Sequence, residues 1–284
     1  MKPSNFSFIH AQSTEHVFEL LEQYGEEAKI ISGGQSLVPT LNMRLSAPEL
    51  LIDISALDEL KGIRLENNQV IVGALTRHVE LQRSDLIKKH VPLVSMAIEH
   101  VAHAAIRNRG TIGGNLSLAD PASELPACTV ALDAKITLAN KSGQRTVAAR
   151  DYFKDLYETE LQADDIFMSV SFPVASANTR SGFREFVRRR GDFASTGLVL
   201  NAEWENGQFS SLAPVFFAVS NTPVLAKNTA AKLIGKKVTE ESIETALACL
   251  EDDLEVIGDI HTPEEMKLHL AKHYFKELIG EICA

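Results

Sequence analysis

Two glycine pairs carry the sharpest chemical signal in the 284-residue chain: Gly33-Gly34 within Ser32-Gly33-Gly34-Gln35-Ser36-Leu37, and Gly113-Gly114 within Thr111-Ile112-Gly113-Gly114-Asn115. Glycine admits positive φ and lets backbone N–H groups reach an anion with no Cβ in the way. A helix start adds further free N–H groups and a positive dipole end. Gln35 and Ser36 add side-chain donors to the first pair, and Thr111 and Asn115 flank the second. Two such loops suit a pyrophosphate clasped from two sides. Two tight turns that bind nothing remain the alternative reading.

Other signatures are missing. Gly33-Gly34-Gln35-Ser36-Leu37-Val38 is not G-x-G-x-x-G, and the chain has no G-x-x-x-x-G-K-[ST]; neither a Rossmann site nor a P-loop is supported. Gly34-Gln35-Ser36-Leu37-Val38 lacks the second glycine of a nucleophile elbow. His100/His103 and His269/His273 have helical-turn spacing but no intervening Glu of a zinc hydrolase. Arg188-Arg189-Arg190 reads either as a phosphate or partner contact or as a solvated strand end.

The first glycine pair must be held by a strand–helix–strand unit. Phe6–Ile9 reads as a strand, and Ser13 or Thr14 caps a helix whose apolar face is Val17, Leu20, Leu21 and Tyr24. Gly25 takes the C′ position. Ala28–Ile31 and Leu50–Ile54 read as buried strands, and Leu37–Met43 as a short helix capped by Ser36. Farther on, Ile63–Leu65 and Val70–Val72 flank a hairpin turn. Pro92 to His103 reads as helix, and Ile136–Leu138 and Ile166–Phe172 as strands. Gly197–Trp204 and Phe209–Val219 surround Asn206-Gly207, a hairpin signal. Two helices follow, the later starting at Thr262-Pro263-Glu264-Glu265. A boundary is expected near 174–179, where Ala, Ser and Asn cluster.

Composition sets the frame. There are 28 Lys+Arg against 38 Asp+Glu, a net charge of −10, with 45% hydrophobic and 23% charged residues. That is globular composition, and its acidity argues against nucleic acid. Three scattered cysteines, Cys128, Cys249 and Cys283, offer no zinc or iron–sulfur spacing and fit a reducing compartment. No apolar run is long enough to span a bilayer, and Met1–His10 does not read as a signal peptide. A cytoplasmic location is expected.

Ser32 to Pro39, continuing through Asn42-Met43-Arg44-Leu45 to Leu51-Ile52-Asp53, resembles the first flavin loop of the FAD-binding medium subunits of molybdenum hydroxylases. Ile106-Arg107-Asn108-Arg109-Gly110 through Asn115-Leu116, then Ala119-Asp120-Pro121 and Glu124-Leu125-Pro126-Ala127, is similar to the second. Arg189-Arg190-Gly191-Asp192-Phe193-Ala194 resembles a third block. The resemblance is nearest to the carbon monoxide dehydrogenase type, with xanthine dehydrogenase more distant.

The resemblance implies an α+β fold: a two-subdomain FAD module of the vanillyl-alcohol-oxidase type over 1–175 (subdomains about 1–55 and 56–175), then a small antiparallel sheet with helices over 176–284. It implies that Ser32, Gly33, Gly34, Gln35, Ser36 and Leu37 wrap the pyrophosphate, with Thr111, Gly113, Gly114 and Asn115 on its other side. Glu124 would contact FAD, Leu161 would pack near the adenine, and Phe193 would stand where the carbon monoxide enzymes place a tyrosine by the flavin ring. A basic residue is expected a few positions earlier, where this chain has Arg184 followed by Glu185.

The implied partners are a large molybdenum-pterin subunit and a small subunit with iron–sulfur clusters, doubled into a symmetric assembly. No catalytic residue and no metal site is expected on this chain. A free-standing flavin oxidase, or a scaffold that has lost flavin, are the rival readings; flavin content and partner dependence discriminate them.

Overall fold

The computed structural model describes residues 2–283. Its first unit is a parallel three-stranded sheet. Strand β1 (Ser7–His10) leads to helix α1 (Thr14–Tyr24), strand β2 (Ala28–Ile31), helix α2 (Leu37–Asn42) and strand β3 (Leu50–Asp53). The order is β1-β3-β2, so β3 is central and all four of its residues are buried. Ser13 caps α1 by accepting the His16 N–H, and Val17, Leu20 and Leu21 face the core. Gly25 ends the helix at φ 53°, its N–H donating to Leu21 O, as a C-terminal glycine does.

The chain then builds a five-stranded antiparallel sheet, interrupted by helices. Strands β4 (Ile63–Glu66) and β5 (Gln69–Gly73) form a hairpin across Asn67 and Asn68, at φ 49° and 61°. Both turn residues are left-handed, the geometry that matches strand twist. Six helices follow: α3 (His78–Arg83), α4 (Asp85–His90), α5 (Pro92–Ala97), α6 (Ala104–Arg107), α7 (Ile112–Leu118) and α8 (Glu124–Ala131). Strands β6 (Lys135–Asn140) and β7 (Gly143–Ala148), helix α9 (Ala149–Tyr152), a small β8 (Phe153–Asp155) and β9 (Glu158–Thr159) pair, and β10 (Ile166–Pro173) complete it. The sheet order is β4-β5-β10-β6-β7.

The third sheet is antiparallel: β11 (Thr179–Phe186), β12 (Thr196–Glu205), β13 (Gln208–Phe217) and β14 (Val224–Leu225), in that order. The β12–β13 turn holds Asn206 and Gly207 at φ 52° and 78°. Helices α10 (Lys227–Ala231), α11 (Glu240–Ala248), α12 (Leu250–Asp253) and α13 (Glu264–Cys283) cover one face.

Helix α8 is buried on every side and packs against β12 and β13; a helix apolar all round belongs inside a core. One hydrophobic cluster runs from the five-stranded sheet through α5, α7 and α8 to Phe183, Val199, Val215 and Phe217 of the third sheet. Each such aliphatic or aromatic side chain contributes about 1.5–3 kcal/mol by leaving water. This shared core fixes the start of α8 against the third sheet.

Three local expectations are corrected. The segment from Pro92 to His103 is not one helix: α5 stops at Ala97, Ala102 turns left-handed at φ 45°, and His103 precedes α6. His100 and His103 therefore do not share a helix face. Ser36 makes no capping bond to α2; it is already αR at φ −104°, ψ −46°. The chain ends in four helices rather than two, because α10 and α12 add short turns beside α11.

Candidate functional site

The loop after β2 is the site's first wall. Among the described residues, the N–H groups of Gly33 through Leu37 donate to no protein acceptor. Five consecutive unspent amides before a helix form a concave anion site. Gly34 is the position that needs positive φ, at 69°. Gln35 folds back, its Nε2 donating to Gly33 O at 3.0 Å.

The second glycine pair works differently from the sequence expectation. Thr111 caps α7, its Oγ1 accepting the Gly114 N–H at 3.2 Å, so both glycines lie in a first helical turn rather than in an open loop. The Ile112 and Gly113 N–H groups donate to Thr76 O and Ala74 O at 3.0 and 2.9 Å. These amides are spent on the fold. Glycine is required here by close approach instead: a Cβ at Gly113 would lie 2.7 Å from Ala74 Cβ, and one at Gly114 2.9 Å from Ser32 Oγ.

The two arms grip each other. A Cβ on Gly33 would sit 2.3 Å from the Arg109 carbonyl oxygen. Ser32 Oγ and Thr111 Oγ1 are 3.1 Å apart. The parallel sheet and the α6–α7 segment thus meet backbone to backbone, and the free amides open beside the seam.

All thirteen predicted site residues line one cavity of about 890 Å³. The first arm supplies Ser32, Gly33, Gly34, Gln35, Ser36 and Leu37; the α7 start supplies Thr111, Gly113, Gly114 and Asn115. Glu124, Leu161 and Phe193 complete the set from α8, the loop between β9 and β10 and the segment after β11. Leu161 is partly buried against the main core, whereas Phe193 is 71% exposed. Arg188–Arg190 are exposed and stand outside the cavity lining.

Several wall residues had no distinguishing signal in the sequence. Lys29 is exposed on β2, at the rim. His78 is buried under Gly110, with both ring nitrogens enclosed and unpartnered. Burial, and then the Arg107 charge, depress its pKa to about 4, so it is neutral at physiological pH. Ser123 accepts from Asn115 Nδ2 at 2.7 Å and leaves Asn115 Oδ1 enclosed without a partner. Asp120 accepts from the Ala122 N–H at 2.9 Å, and its burial raises its pKa.

Glu124 is 6% exposed at the first position of α8. Burial pushes its pKa up to about 8, with the Glu185 and Asp120 charges acting in the same direction.

These features fit FAD. The free amides suit a pyrophosphate, the cavity falls within the usual ligand range of about 300–1,000 Å³, and Asn115 Oδ1 lacks the donor that a buried carbonyl requires. Neither arm carries a histidine or cysteine for a covalent flavin link.

The family described as FAD binding domain in molybdopterin dehydrogenase matches residues 4–175, and the CO dehydrogenase flavoprotein C-terminal domain matches residues 181–282. The chain is 35% identical to the 6-hydroxypseudooxynicotine dehydrogenase complex subunit alpha of Paenarthrobacter nicotinovorans, over 92% of this chain and 88% of that one. It is 29% identical to the carbon monoxide dehydrogenase medium chain of Hydrogenophaga pseudoflava, over 100% and 99%. The solved carbon monoxide dehydrogenase of Hydrogenophaga pseudoflava lacking the Mo-pyranopterin moiety superimposes with a TM-score of 0.96, at 31% identity, covering 99% of this chain and 98% of that one. Among the described residues, no helix is long and apolar enough to cross a membrane. On its fold, its cavity and these likenesses, the chain belongs to the family of FAD-binding subunits of molybdopterin dehydrogenases.

Proposed function

We propose that the chain is the FAD-binding electron-transfer subunit of a multi-subunit molybdenum hydroxylase. Electrons would arrive from iron–sulfur clusters on a small subunit and leave through FAD to an external acceptor. The observation that carries this reading is the convergence of all thirteen site residues on one cavity, beside five unspent backbone amides. Bound FAD supplies the redox chemistry, because it takes electrons singly and passes them on singly or in pairs. The protein's part is binding, orientation and electrostatics.

The amides of Gly33–Leu37 hold the pyrophosphate. Thr111, Gly113, Gly114 and Asn115 set the opposite wall through shape and the Asn115 carbonyl, since the backbone donors of Gly113, Gly114 and Asn115 serve the fold. Glu124 offers an O–H donor while it is neutral. Leu161 would pack near the adenine, and Phe193 would cover the ring without the hydroxyl of a tyrosine.

The division into 1–175 (subdomains about 1–55 and 56–175) and 176–284 belongs to the same proposal, as does a doubled heterotrimer with the molybdenum and iron–sulfur subunits in the cytoplasm. Purification from the native host tests it. The account expects co-purification with both subunits and no substrate hydroxylation by the chain alone. A lone monomer with full substrate turnover would overturn it in favour of a free-standing oxidase.

A further inference from the structure

A buried ion pair holds the loop between β9 and β10. The Asp165 side chain is 0% exposed, and its Oδ1 and Oδ2 accept from Arg145 Nη1 and Nη2, each at 2.6 Å. This two-pronged geometry fixes direction as well as distance. Oδ2 also accepts the Gln162 N–H at 2.7 Å, and Asn140 Nδ2 of β6 donates to Oδ1 at 3.3 Å. Arg145 comes from β7, an edge strand of the five-stranded sheet, and its Nη2 donates further to Glu160 O at 2.9 Å. One guanidinium–carboxylate pair thus grips the chain at both Glu160 and Gln162.

Leu161 lies between these two grips, and Leu161, Gln162, Ala163 and Asp165 all line the cavity. Ile166, next in the chain, is 1% exposed and belongs to the core of the parallel unit with Leu21, Ala28 and Ile54. All four of these apolar residues line the cavity as well. This stretch of wall therefore offers apolar surface for the faces of a flat heterocycle, carried on a loop whose backbone is tied down. Net stability is a poor reason for such a pair, because taking two charges out of water offsets much of their attraction. Fixed geometry is what the fork supplies and an apolar replacement would not.

We infer that Arg145 and Asp165 are positioning residues for the adenine half of FAD, and that they set the preference for FAD over FMN. The inference rests on the FAD reading above. The pair acts through the backbone it grips: with Glu160 O and the Gln162 N–H both held, Leu161 keeps its place against the adenine. FMN ends at its phosphate and has no adenine, so it draws nothing from this loop.

The test uses the full chain, purified, freed of flavin and titrated with FAD and with FMN by flavin fluorescence, with thermal unfolding recorded on each variant. Asp165→Asn keeps the side-chain volume and an acceptor for the Gln162 N–H, but turns an amide NH2 toward the guanidinium. Arg145→Lys keeps the charge but cannot reach both Asp165 oxygens and Glu160 O together. In each variant the FAD Kd is expected to rise about tenfold, the worth of one charge-assisted hydrogen bond, while the FMN Kd stays within about twofold of wild type. The ratio of FMN Kd to FAD Kd therefore falls. A merely structural role would not give that split, because a loosened fold weakens both ligands together. A wild-type ratio in either folded variant overturns the inference, whether both affinities are retained or both fall equally. If Asp165→Asn does not fold, Arg145→Lys decides alone. A wild-type chain that binds FMN as tightly as FAD would instead defeat the FAD reading itself.

Discussion

Gly33→Ala is the most informative single change at the seam between the two arms. Its Cβ would stand 2.3 Å from Arg109 O, 2.9 Å from the Arg109 carbonyl carbon and 2.9 Å from Gly110 Cα. All three are backbone atoms, so no side-chain rotation relieves the contact. The arms must part by about 1 Å, at a cost of about 1–3 kcal/mol for overpacking. That shift carries the amide row with it. A hydrogen bond to a charged group is worth about 1.5–3 kcal/mol, so losing two to the pyrophosphate raises the FAD Kd about 10²–10⁴-fold. Gly34→Ala is the control. It meets only the side chains of Val38 and Ile31, at 3.2 Å or more, and its cost is mainly the φ of 69°, about 1–2 kcal/mol. Titrating the flavin-free chains with FAD by fluorescence quenching measures the first effect, and thermal unfolding the second. A Gly33→Ala chain that binds FAD with the wild-type Kd would refute the reasoning that the seam sets the amide geometry.

Glu124→Gln tests the buried acid. With a folded pKa of about 8 against an ordinary 4.5, the native state keeps a proton that the unfolded chain loses, so wild-type stability falls as pH rises from about 4.5 to about 8. The slope is about 1.4 kcal/mol per pH unit, and the flavin-free Gln variant should lose it, gaining about 3–5 kcal/mol over wild type at pH 8; equal urea midpoint shifts between pH 5 and pH 8 in both chains would contradict this. Phe193→Ala should leave FAD content and stability within about 0.5 kcal/mol of wild type, while shifting flavin fluorescence or midpoint potential; unchanged spectra and potential would remove Phe193 from the site. Lys267→Met removes a buried ammonium that donates to Ala218 O at 2.8 Å and pairs with Asp259 at 3.0 Å, and urea unfolding should show a loss of roughly 1.5–3 kcal/mol.

The parallel unit was legible because its periodicities are local: Val17, Leu20 and Leu21 on one helix face, an N-cap at Ser13, and a glycine at position 25. The two hairpins were legible for the same reason, from Asn67-Asn68 and Asn206-Gly207. Helix α5 was overextended because Ala102 carries no propensity signal for its left-handed turn. All four glycines line the cavity, but the sequence reading gave three of them the wrong physical reason. Only Gly34 has positive φ; Gly33, Gly113 and Gly114 are small because tertiary neighbours touch them. His78 was invisible for a similar reason, since an ordinary helical position becomes an enclosed imidazole only when Gly110 closes over it.

The central claim is that this cavity holds FAD through a pyrophosphate on free backbone amides. Acid precipitation of the purified chain, followed by identification of the released flavin, tests it most directly. The account predicts that all yellow colour enters the supernatant as FAD. Colour retained in the pellet would contradict non-covalent binding, and FMN in the supernatant would contradict the pyrophosphate cradle.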